Sequence, residues 1–319
     1  MKELKDLLKE NSGVTMSSGP GDYFIFDARP SNFELIRSIS SSGFDVNGVG
    51  LKKEQVRDLL NCAENNDLRR AARYLRGFVQ ENINGEEDVL SLVKVLDGVV
   101  RNNIGRLSED ARPLFLSFMT LARYEAEVIA GSYQGAFVLP EDIISSFRPN
   151  GTYLSIATGP GDDIRKMKTL LGDGTYVGVD ISEEMVRRAL REDPSGIYGM
   201  ADAQELPFKY GSFDAVIMFN AIDRIPNPRR ALCEISRVVR PGGTVVVGNC
   251  DPLQYVKEVT DGTTLTYVPE ENRIEDMKEA LQVAGCELLE TRLRLPWNIK
   301  TIMDGDEPLY VNLVVGKRF

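Results

Sequence analysis

From about residue 151 onward, short runs rich in β-branched and aromatic residues alternate with amphipathic stretches of helical spacing. The β-rich runs occupy residues 152–157, 175–180, 197–202, 213–220, 243–249, 286–295 and 309–317. Strands separated by helices pair in parallel, because the crossover helix returns the chain to the same end of the sheet. The pattern predicts an α/β fold with a seven-stranded doubly wound sheet, in which the last two runs form a hairpin and one antiparallel strand lies at or near an edge.

The preceding part of the chain has a different pattern, in which apolar residues recur three and four positions apart. This spacing predicts amphipathic helices that share one core. The apolar stripes lie at 56–63, 68–79 and 89–100, and a fourth helix is expected to begin near Pro113. A chain of 319 residues is long enough for two domains. We therefore predict a mostly helical domain over residues 1–139 and an α/β domain over residues 140–319.

The overall charge and hydropathy narrow the range of partners. A formal net charge of −10 disfavours binding to nucleic acid, because that binding depends on clustered Lys and Arg. Apolar runs stay shorter than the roughly 20 residues that a membrane helix needs, and the first residues do not resemble a signal peptide. We expect a cytoplasmic protein that does not bind membranes.

Histidine is absent from the chain. It is the side chain whose pKa most often suits a general acid or base near neutral pH. The four cysteines are scattered and form no CxxC pair, so that neither a disulfide framework nor a metal site is expected. Any chemistry must use Asp, Glu, Tyr, Lys or Cys, or a reaction that needs little proton transfer.

Two Gly-Pro-Gly-Asp turns occur in the chain, at residues 19–22 and 159–162. The later turn follows the first β-rich run of the α/β half and precedes a helical stretch, which is where such sheets bind ligands against bare backbone. The earlier turn follows no strand, and we interpret it as a surface turn. A dinucleotide-binding motif would require a glycine three residues after Gly161, where this chain has Ile164, so NAD is disfavoured.

Asp180 ends the second β-rich run of the α/β half. An acidic residue at this position often binds the hydroxyls of an adenosine ribose. Asp180 could equally cap the following helix in a capping box with Glu183. Its position alone does not choose between the two.

Four segments carry a family resemblance: "LSIATGPGDD", "VGVDISEEMVRRA", "ADAQELPFKYGSFDAV" and "ALCEISRVVRPGGTVVV". In this order and at this spacing they closely resemble the class I S-adenosylmethionine-dependent methyltransferases, especially those of ubiquinone and menaquinone biosynthesis. The resemblance covers about residues 140–319. It implies a Rossmann-like sheet, S-adenosylmethionine as cofactor and S-adenosylhomocysteine as product.

The resemblance also implies roles for individual residues. The turn at Ala157, Thr158, Gly159 and Gly161 would lie beside the methionine and ribose of the cofactor. Asp180 would accept from both ribose hydroxyls, and Asp202 from the adenine amino group. Ile181 and Ala203 would pack against the adenine ring, and the backbone of Asn220 would approach the methionyl end.

The chain departs from the family pattern at three positions. Ser155 and Ala157 stand where the family usually has an acidic residue and the first glycine of the turn. The lost acid removes a usual partner of the cofactor's ammonium group or of the turn's own amides. Relatives often carry His in the stretch matching "NAIDRIPNP", where this chain has Asp223. Asp223 is the candidate for a polar or basic catalytic role, and the alternative that it stabilises the loop or the entry to the next helix is at least as well supported.

The absence of histidine favours an acceptor that needs little help from a base, such as a carboxylate or a phenolate on a small molecule or peptide. Arg69, Arg73 and Arg76 share one helical face and could bind a carboxylate, although the same face could simply be solvated. Tyr23 and Tyr133 are further candidates for the acceptor pocket. We expect the helical domain to cover the cofactor and to select the acceptor.

Two alternatives to methyl transfer remain open at this point. One is a cofactor-binding scaffold or regulator that has lost catalysis, which the substitutions at Ser155 and Ala157 would explain. The other is the transfer of a different group from the same cofactor. The mass of the product distinguishes the second alternative from methylation.

Overall fold

The computed structural model describes residues 2–10, 12–17, 23–26, 44–46, 48–131, 139–222, 225–250, 274–297 and 309–319. Its central feature is a sheet of nine strands in the order β1-β2-β7-β6-β5-β8-β9-β11-β10. The strands of the α/β half are β5 (Thr152–Ile156), β6 (Thr175–Asp180), β7 (Ile197–Met200), β8 (Phe213–Phe219), β9 (Val239–Cys250), β10 (Cys286–Trp297) and β11 (Leu309–Arg318). Strands β5 to β9 pair in parallel, which confirms the predicted α/β class.

Helices cover both faces of this sheet. The helices are α6 (Glu141–Ser145), α7 (Asp162–Leu171), α8 (Glu183–Glu192), α9 (Pro228–Val238) and α10 (Ile274–Val283). Apolar residues of α6, α7 and α8 pack in one core cluster, whereas those of α9 and α10 pack in another on the opposite face. The chain therefore leaves β5 on one face toward β6 and leaves β8 on the other face toward β9. The adjacent carboxyl ends of β5 and β8 mark the point where the winding reverses, and ligands of such sheets bind there.

The predicted C-terminal hairpin is present. Strand β11 pairs antiparallel with both β9 and β10, so that it lies one position in from the sheet edge. Cys286 opposes Arg318 at one end of the hairpin, and Tyr310 opposes Pro296 near the other. The prediction of one antiparallel strand at or near the edge is thereby confirmed.

The sheet has two strands more than the sequence predicts, and both come from the first 26 residues. Strands β1 (Val14–Met16) and β2 (Phe24–Phe26) form an antiparallel pair, and β2 continues the sheet parallel to β7. The ring of Phe24 occupies the space where a Cβ on Gly199 of β7 would lie, 2.5 Å from the ring atoms. Two short strands from before residue 139 thus belong to the sheet. At three residues each, they are too short to be recognised by their pattern.

The other described residues up to 131 are mostly helical. They form α1 (Lys2–Leu7), the two-stranded hairpin of β3 (Phe44–Val46) and β4 (Val49–Leu51), and helices α2 (Lys53–Glu64), α3 (Leu68–Asn82), α4 (Glu86–Asn103) and α5 (Ala111–Ile129). Apolar residues of α2 to α5 share one buried cluster that is separate from those of the sheet. We call residues 53–129 the helical region. None of the helices in the described ranges is both long and apolar enough to cross a bilayer.

Candidate functional site

A row of half-buried residues lies at the carboxyl ends of four neighbouring strands. Ala157 follows β5, Ile181 follows β6, Asp202 and Ala203 follow β7, and Asn220 follows β8. Because β7, β6, β5 and β8 are consecutive in the sheet, the structure brings these residues to one edge. Each keeps part of its surface exposed, whereas the strands that precede them are almost wholly buried. The row offers a ligand a continuous surface along the switch point of the sheet.

The turn after β5 is held in an unusual backbone conformation. Ala157, Gly159 and Gly161 have φ angles of 53°, 52° and 83°, in the left-handed region. The N–H of Thr158 donates to the carbonyl of Val179 at 3.0 Å, and this bond ties the turn to the neighbouring strand. Left-handed backbone is easy for glycine and costs energy for alanine. The turn thus accepts strain at Ala157, the position where the family usually has glycine.

Gly161 is required for a reason that the sequence does not show. A Cβ at this position would lie 2.7 Å from the hydroxyl oxygen of Tyr198, a buried side chain on β7. A Cβ at Gly178 of β6 would likewise lie 2.6 Å from the Tyr198 ring. These two glycines make room for a tyrosine of the protein itself.

Asp180 lies behind this turn with its carboxylate largely buried. Its Oδ2 accepts from the N–H of Gly159 at 2.9 Å, and its Oδ1 accepts from the N–H of Ser182 at 2.9 Å. Burial raises the pKa of this carboxyl above its ordinary value, against the opposing effect of these backbone N–H groups. An ionised carboxylate offers about four acceptor positions, so about two remain for further donors.

The alternative role of Asp180 in a capping box with Glu183 is not observed. Ser182 is the N-cap of α8, and its hydroxyl oxygen accepts from the N–H of Met185 at 3.2 Å. The Glu183 carboxylate instead accepts from Tyr23, Arg76 and Arg187. The acceptor positions left on Asp180 suit the two vicinal hydroxyls of a ribose, and in this respect the site fits an adenosyl cofactor.

Asp202 is oriented by its own loop. Its Oδ1 accepts from the backbone N–H of Gln204 at 2.8 Å and from the side-chain amide of Gln204 at 3.2 Å. The amide oxygen of Gln204 accepts from the N–H of Asn227, which begins α9. Asp202 is half-buried, so that its carboxylate is both fixed in place and accessible to an amino group.

The acidic side chains after the turn serve the protein itself. Asp163 is 5% exposed, and its Oδ1 accepts from the N–H of Leu139 at 3.1 Å. Asp162 forms an ion pair with Arg165 one helical turn away. Ser155, which stands where the family has an acid, is 2% exposed within β5. Position 155 therefore offers a buried hydroxyl, and not a carboxylate, to the ammonium group of a cofactor.

Three expected features lie outside the described residues. These are Asp223, Tyr133 and the early Gly-Pro-Gly-Asp turn of residues 19–22. The flanks of that turn are the paired strands β1 and β2, and the N–H of Ser17 donates to the carbonyl of Tyr23. Asn220 is described, has a φ of 50° and donates its N–H to Gly248 at 2.8 Å.

The arginine face of α3 points toward the sheet rather than only toward solvent. Arg76 forms ion pairs with Glu183 and Glu184 of α8. The guanidinium of Arg69 lies 4.6 Å from the centre of the Phe26 ring on β2. Arg73 is exposed between them on the same face. This face joins the helical region to the α/β half.

Glu125 of α5 is a buried acidic residue that the sequence reasoning missed. It is 2% exposed, and its Oε1 accepts from the hydroxyl of Ser182 at 2.5 Å. Burial raises the pKa of its carboxyl to about 7, with the hydrogen bond from Ser182 opposing the rise. The signal in the sequence is a glutamate three residues after Ala122, within the apolar stripe of the helix.

Comparison with known proteins supports the interpretation of the strand ends. Residues 154–247 match a family model described as a methyltransferase domain. A protein of transposon TN4556 from Streptomyces fradiae is 33% identical over 152 residues, which cover 46% of this chain and 42% of the relative.

Two named methyltransferases are also similar. A demethylmenaquinone methyltransferase of Symbiobacterium thermophilum is 35% identical over 107 residues, covering 31% of this chain and 43% of that enzyme. A 27-O-demethylrifamycin SV methyltransferase of Amycolatopsis mediterranei is 32% identical over 108 residues, covering 32% and 39% of the two chains. In all three comparisons the match spans less than half of the relative's own length.

The matched segment runs from Leu154 in β5 to Val247 in β9 and contains every strand end of the row described above. Its glycine turn, its two strand-end carboxylates and its parallel strand order are compatible with an adenosyl cofactor. Residues 154–247 are thus similar to a methyltransferase domain, and the site at their strand ends fits the S-adenosylmethionine that such domains use.

Proposed function

We propose that the protein transfers the methyl group of S-adenosylmethionine to an oxygen of a carboxylate, or of a phenolate, on a small molecule or peptide. The observation that carries the cofactor half of this proposal is the position of Asp180. Its carboxylate is held by the N–H groups of Gly159 and Ser182 and keeps acceptor positions for two hydroxyls. The match of residues 154–247 to a methyltransferase domain supports the reaction class.

The residues of the row would bind and orient the cofactor. Asp180 would take the ribose hydroxyls, Asp202 the adenine amino group, and Ile181 and Ala203 the faces of the ring. The turn at Ala157 to Gly161 would bring bare backbone close to the methionyl part. Alignment of an acceptor with a bound methyl donor supplies much of the rate enhancement in a displacement of this kind.

The proposed acceptor follows from the chemistry that the chain can offer. The cofactor supplies a methyl group on a positively charged sulfur; the carbon–sulfur bond breaks with its electron pair going to sulfur, and a carbon–oxygen bond forms. A carboxylate is already ionised at neutral pH, so no base has to remove a proton. This fits a chain that contains no histidine.

The acceptor is expected to approach where the helical region meets the sheet. Arg69 and Arg73 lie on the face of α3 that is turned toward β2 and α8. Arg76, on the same face, already pairs with Glu183 and Glu184. On this face the guanidinium groups of Arg69, Arg73 and Arg76 would bind a carboxylate acceptor through paired N–H donors.

A cofactor-binding protein without catalysis is the second candidate. The substitutions at 155 and 157 favour it, since Ser155 is buried and uncharged and Ala157 holds a left-handed conformation. Such a protein would bind S-adenosylmethionine and leave all acceptors unmodified.

One experiment separates the candidates. Wild-type protein, Asp180→Ala and the control Asp173→Ala are incubated with methyl-labelled S-adenosylmethionine and fractionated extract of the source cells, and cofactor affinity is measured by calorimetry. Asp173 is exposed in the loop before β6, at the opposite end of that strand from Asp180. Loss of hydrogen bonds to a charged group costs about 1.5–3 kcal/mol, so Asp180→Ala should weaken cofactor binding roughly tenfold to a hundredfold.

Label entering a base-labile product with wild type and Asp173→Ala, but not with Asp180→Ala, supports a carboxyl methyltransferase. Binding without transfer to any fraction supports the non-catalytic candidate. Equal cofactor affinity of wild type and Asp180→Ala would contradict the assignment of the ribose to Asp180.

A further inference from the structure

Glu125 connects the helical region to the turn that presents Asp180. It lies on α5 within an otherwise apolar stripe, and its Oε1 accepts from the Ser182 hydroxyl at 2.5 Å. Its other oxygen, Oε2, is buried and has no hydrogen-bond partner among the described residues. Burying a carboxyl in this way costs free energy, which packing alone does not explain.

Ser182 links Glu125 to the row of residues at the strand ends. Its N–H donates to Oδ1 of Asp180, its hydroxyl donates to Glu125, and its hydroxyl oxygen accepts from Met185. The opposite oxygen of the Asp180 carboxylate accepts from Gly159. One continuous chain of hydrogen bonds thus runs from α5 through Ser182 and Asp180 to the glycine turn.

We propose that Glu125 is a positioning residue of the cofactor site. From the helical region, it orients Ser182 and so fixes the turn of residues 180–182, which carries the ribose-binding carboxylate and the side chain of Ile181 that packs on adenine. The inference rests on the proposed adenosyl cofactor. It assigns to the helical region a direct part in cofactor affinity, in addition to its part in acceptor selection.

The charged groups around Glu125 come from three elements. Arg76 of α3 favours the ionised form, whereas Glu184 of α8 and Asp180 in the turn disfavour it. On α5 itself, Arg123 and Glu127 form an ion pair with each other. The hydrogen bond from Ser182 is stronger to an ionised carboxylate than to a neutral group. Cofactor affinity should therefore fall when Glu125 becomes protonated.

The test measures binding of S-adenosylhomocysteine by calorimetry to the full chain and its variants. Glu125→Ala removes the acceptor for Ser182 and should raise Kd about tenfold. Glu125→Gln keeps a neutral oxygen acceptor and should raise Kd by no more than about threefold at pH 8. The matched control is Glu127→Gln, a buried carboxyl on the same helix that pairs with Arg123, and it should leave Kd unchanged.

Two readouts separate positioning from a merely structural role. The ratio of the Kd of Glu125→Gln to that of wild type should decrease from pH 8 to pH 6, because only wild type loses its charged acceptor over that range. In a Ser182→Ala background, Glu125→Ala should have little further effect, since both changes break the same contact. Circular dichroism melts identify any variant that fails to fold, and Glu125→Gln then decides the question.

The inference is overturned if wild type binds S-adenosylhomocysteine, Asp180→Ala weakens binding, and the Glu125 variants bind as wild type does. It is also overturned if the effects of Glu125→Ala and Ser182→Ala are additive. If wild type itself does not bind S-adenosylhomocysteine, the proposed function fails and the inference fails with it.

Discussion

Replacement of Asp163 by asparagine should make the stability of the protein depend less on pH. Asp163 is the second residue of α7 and is almost completely buried. Its Oδ1 accepts from the backbone N–H of Leu139, the residue that leads into α6. Burial raises the pKa of its carboxyl from an ordinary value of 3.8 to about 7. The neighbouring Asp162 raises it further, while the hydrogen bond from Leu139 and the charge of Lys166 oppose the shift.

The sign of the effect follows from the raised pKa. Between pH 3.8 and about 7 the folded protein keeps a proton on Asp163 that the unfolded chain releases. The stabilising contribution is complete below pH 3.8 and is lost as the pH rises through 7. The pKa values of Asp163 in the unfolded and folded protein differ by about three, which corresponds to about 4 kcal/mol in the free energy of unfolding. Asparagine keeps the acceptor oxygen for Leu139 and carries no charge at any of these pH values.

The assay is urea unfolding of wild type and Asp163→Asn at half-unit steps from pH 5 to pH 8, followed by far-UV circular dichroism. The free energy of unfolding of the variant, relative to wild type, should increase by about 2–4 kcal/mol across this range. Asp173→Asn, a change in an exposed loop, serves as the control. It should change the free energy of unfolding by the same amount at pH 5 and at pH 8. A difference between Asp163→Asn and wild type that stays constant with pH would refute the argument from burial.

Two further substitutions test the contacts that hold the site. Gly161→Ala places a Cβ 2.7 Å from the Tyr198 hydroxyl at a φ of 83°, and should destabilise the fold by about 2–4 kcal/mol; a thermal melt as high as that of wild type would contradict this. Arg76→Met leaves Glu183 and Glu184 without their shared guanidinium and should cost about 1–3 kcal/mol. That loss should shrink when Glu183 is also changed to Gln, as a double-mutant cycle of unfolding free energies would show.

Much of the α/β half can be predicted from the sequence because its elements are buried and sharply bounded. Strand β6 has the predicted ends, Thr175–Asp180, and the predicted helical stretch after the glycine turn is α7, Asp162–Leu171. The strand is an apolar run between glycine and a polar turn, and the helix begins directly after Gly161. Local composition and burial agree in these segments, so the pattern alone is sufficient.

Strands β1 and β2 cannot be predicted from local composition in this way. Each has three residues, and β2 joins the sheet because Phe24 fits over Gly199 of β7, nearly 180 residues away in the sequence. No periodicity can develop over three residues, and the complementary shapes are visible only in the folded chain.

The candidate site divides in the same way. Asp180, Asp202 and the glycine turn can be recognised from the sequence because they follow strands. The carboxyl ends of parallel strands lie at one edge of the sheet irrespective of the loop conformations. Glu125 and Arg76 lie on helices whose packing against α8 cannot be read from spacing. The sequence pattern of a polar helix face is the same whether the face is solvated or, as for Arg76, forms ion pairs with two glutamates.

The contacts of the helical region converge on the first turn of α8. Glu125 holds Ser182 at the N-cap, while Arg76 and Gln80 of α3 hold Glu183 and Glu184 in the next two positions. This turn follows Asp180 directly, so a shift of α3 or α5 against the sheet would reach the Asp180 carboxylate through one or two residues. An acceptor bound between the helical region and the sheet would contact α3 or α5. Because coupling between two ligands is reciprocal, acceptor binding should change cofactor affinity by the same factor by which the cofactor changes acceptor affinity.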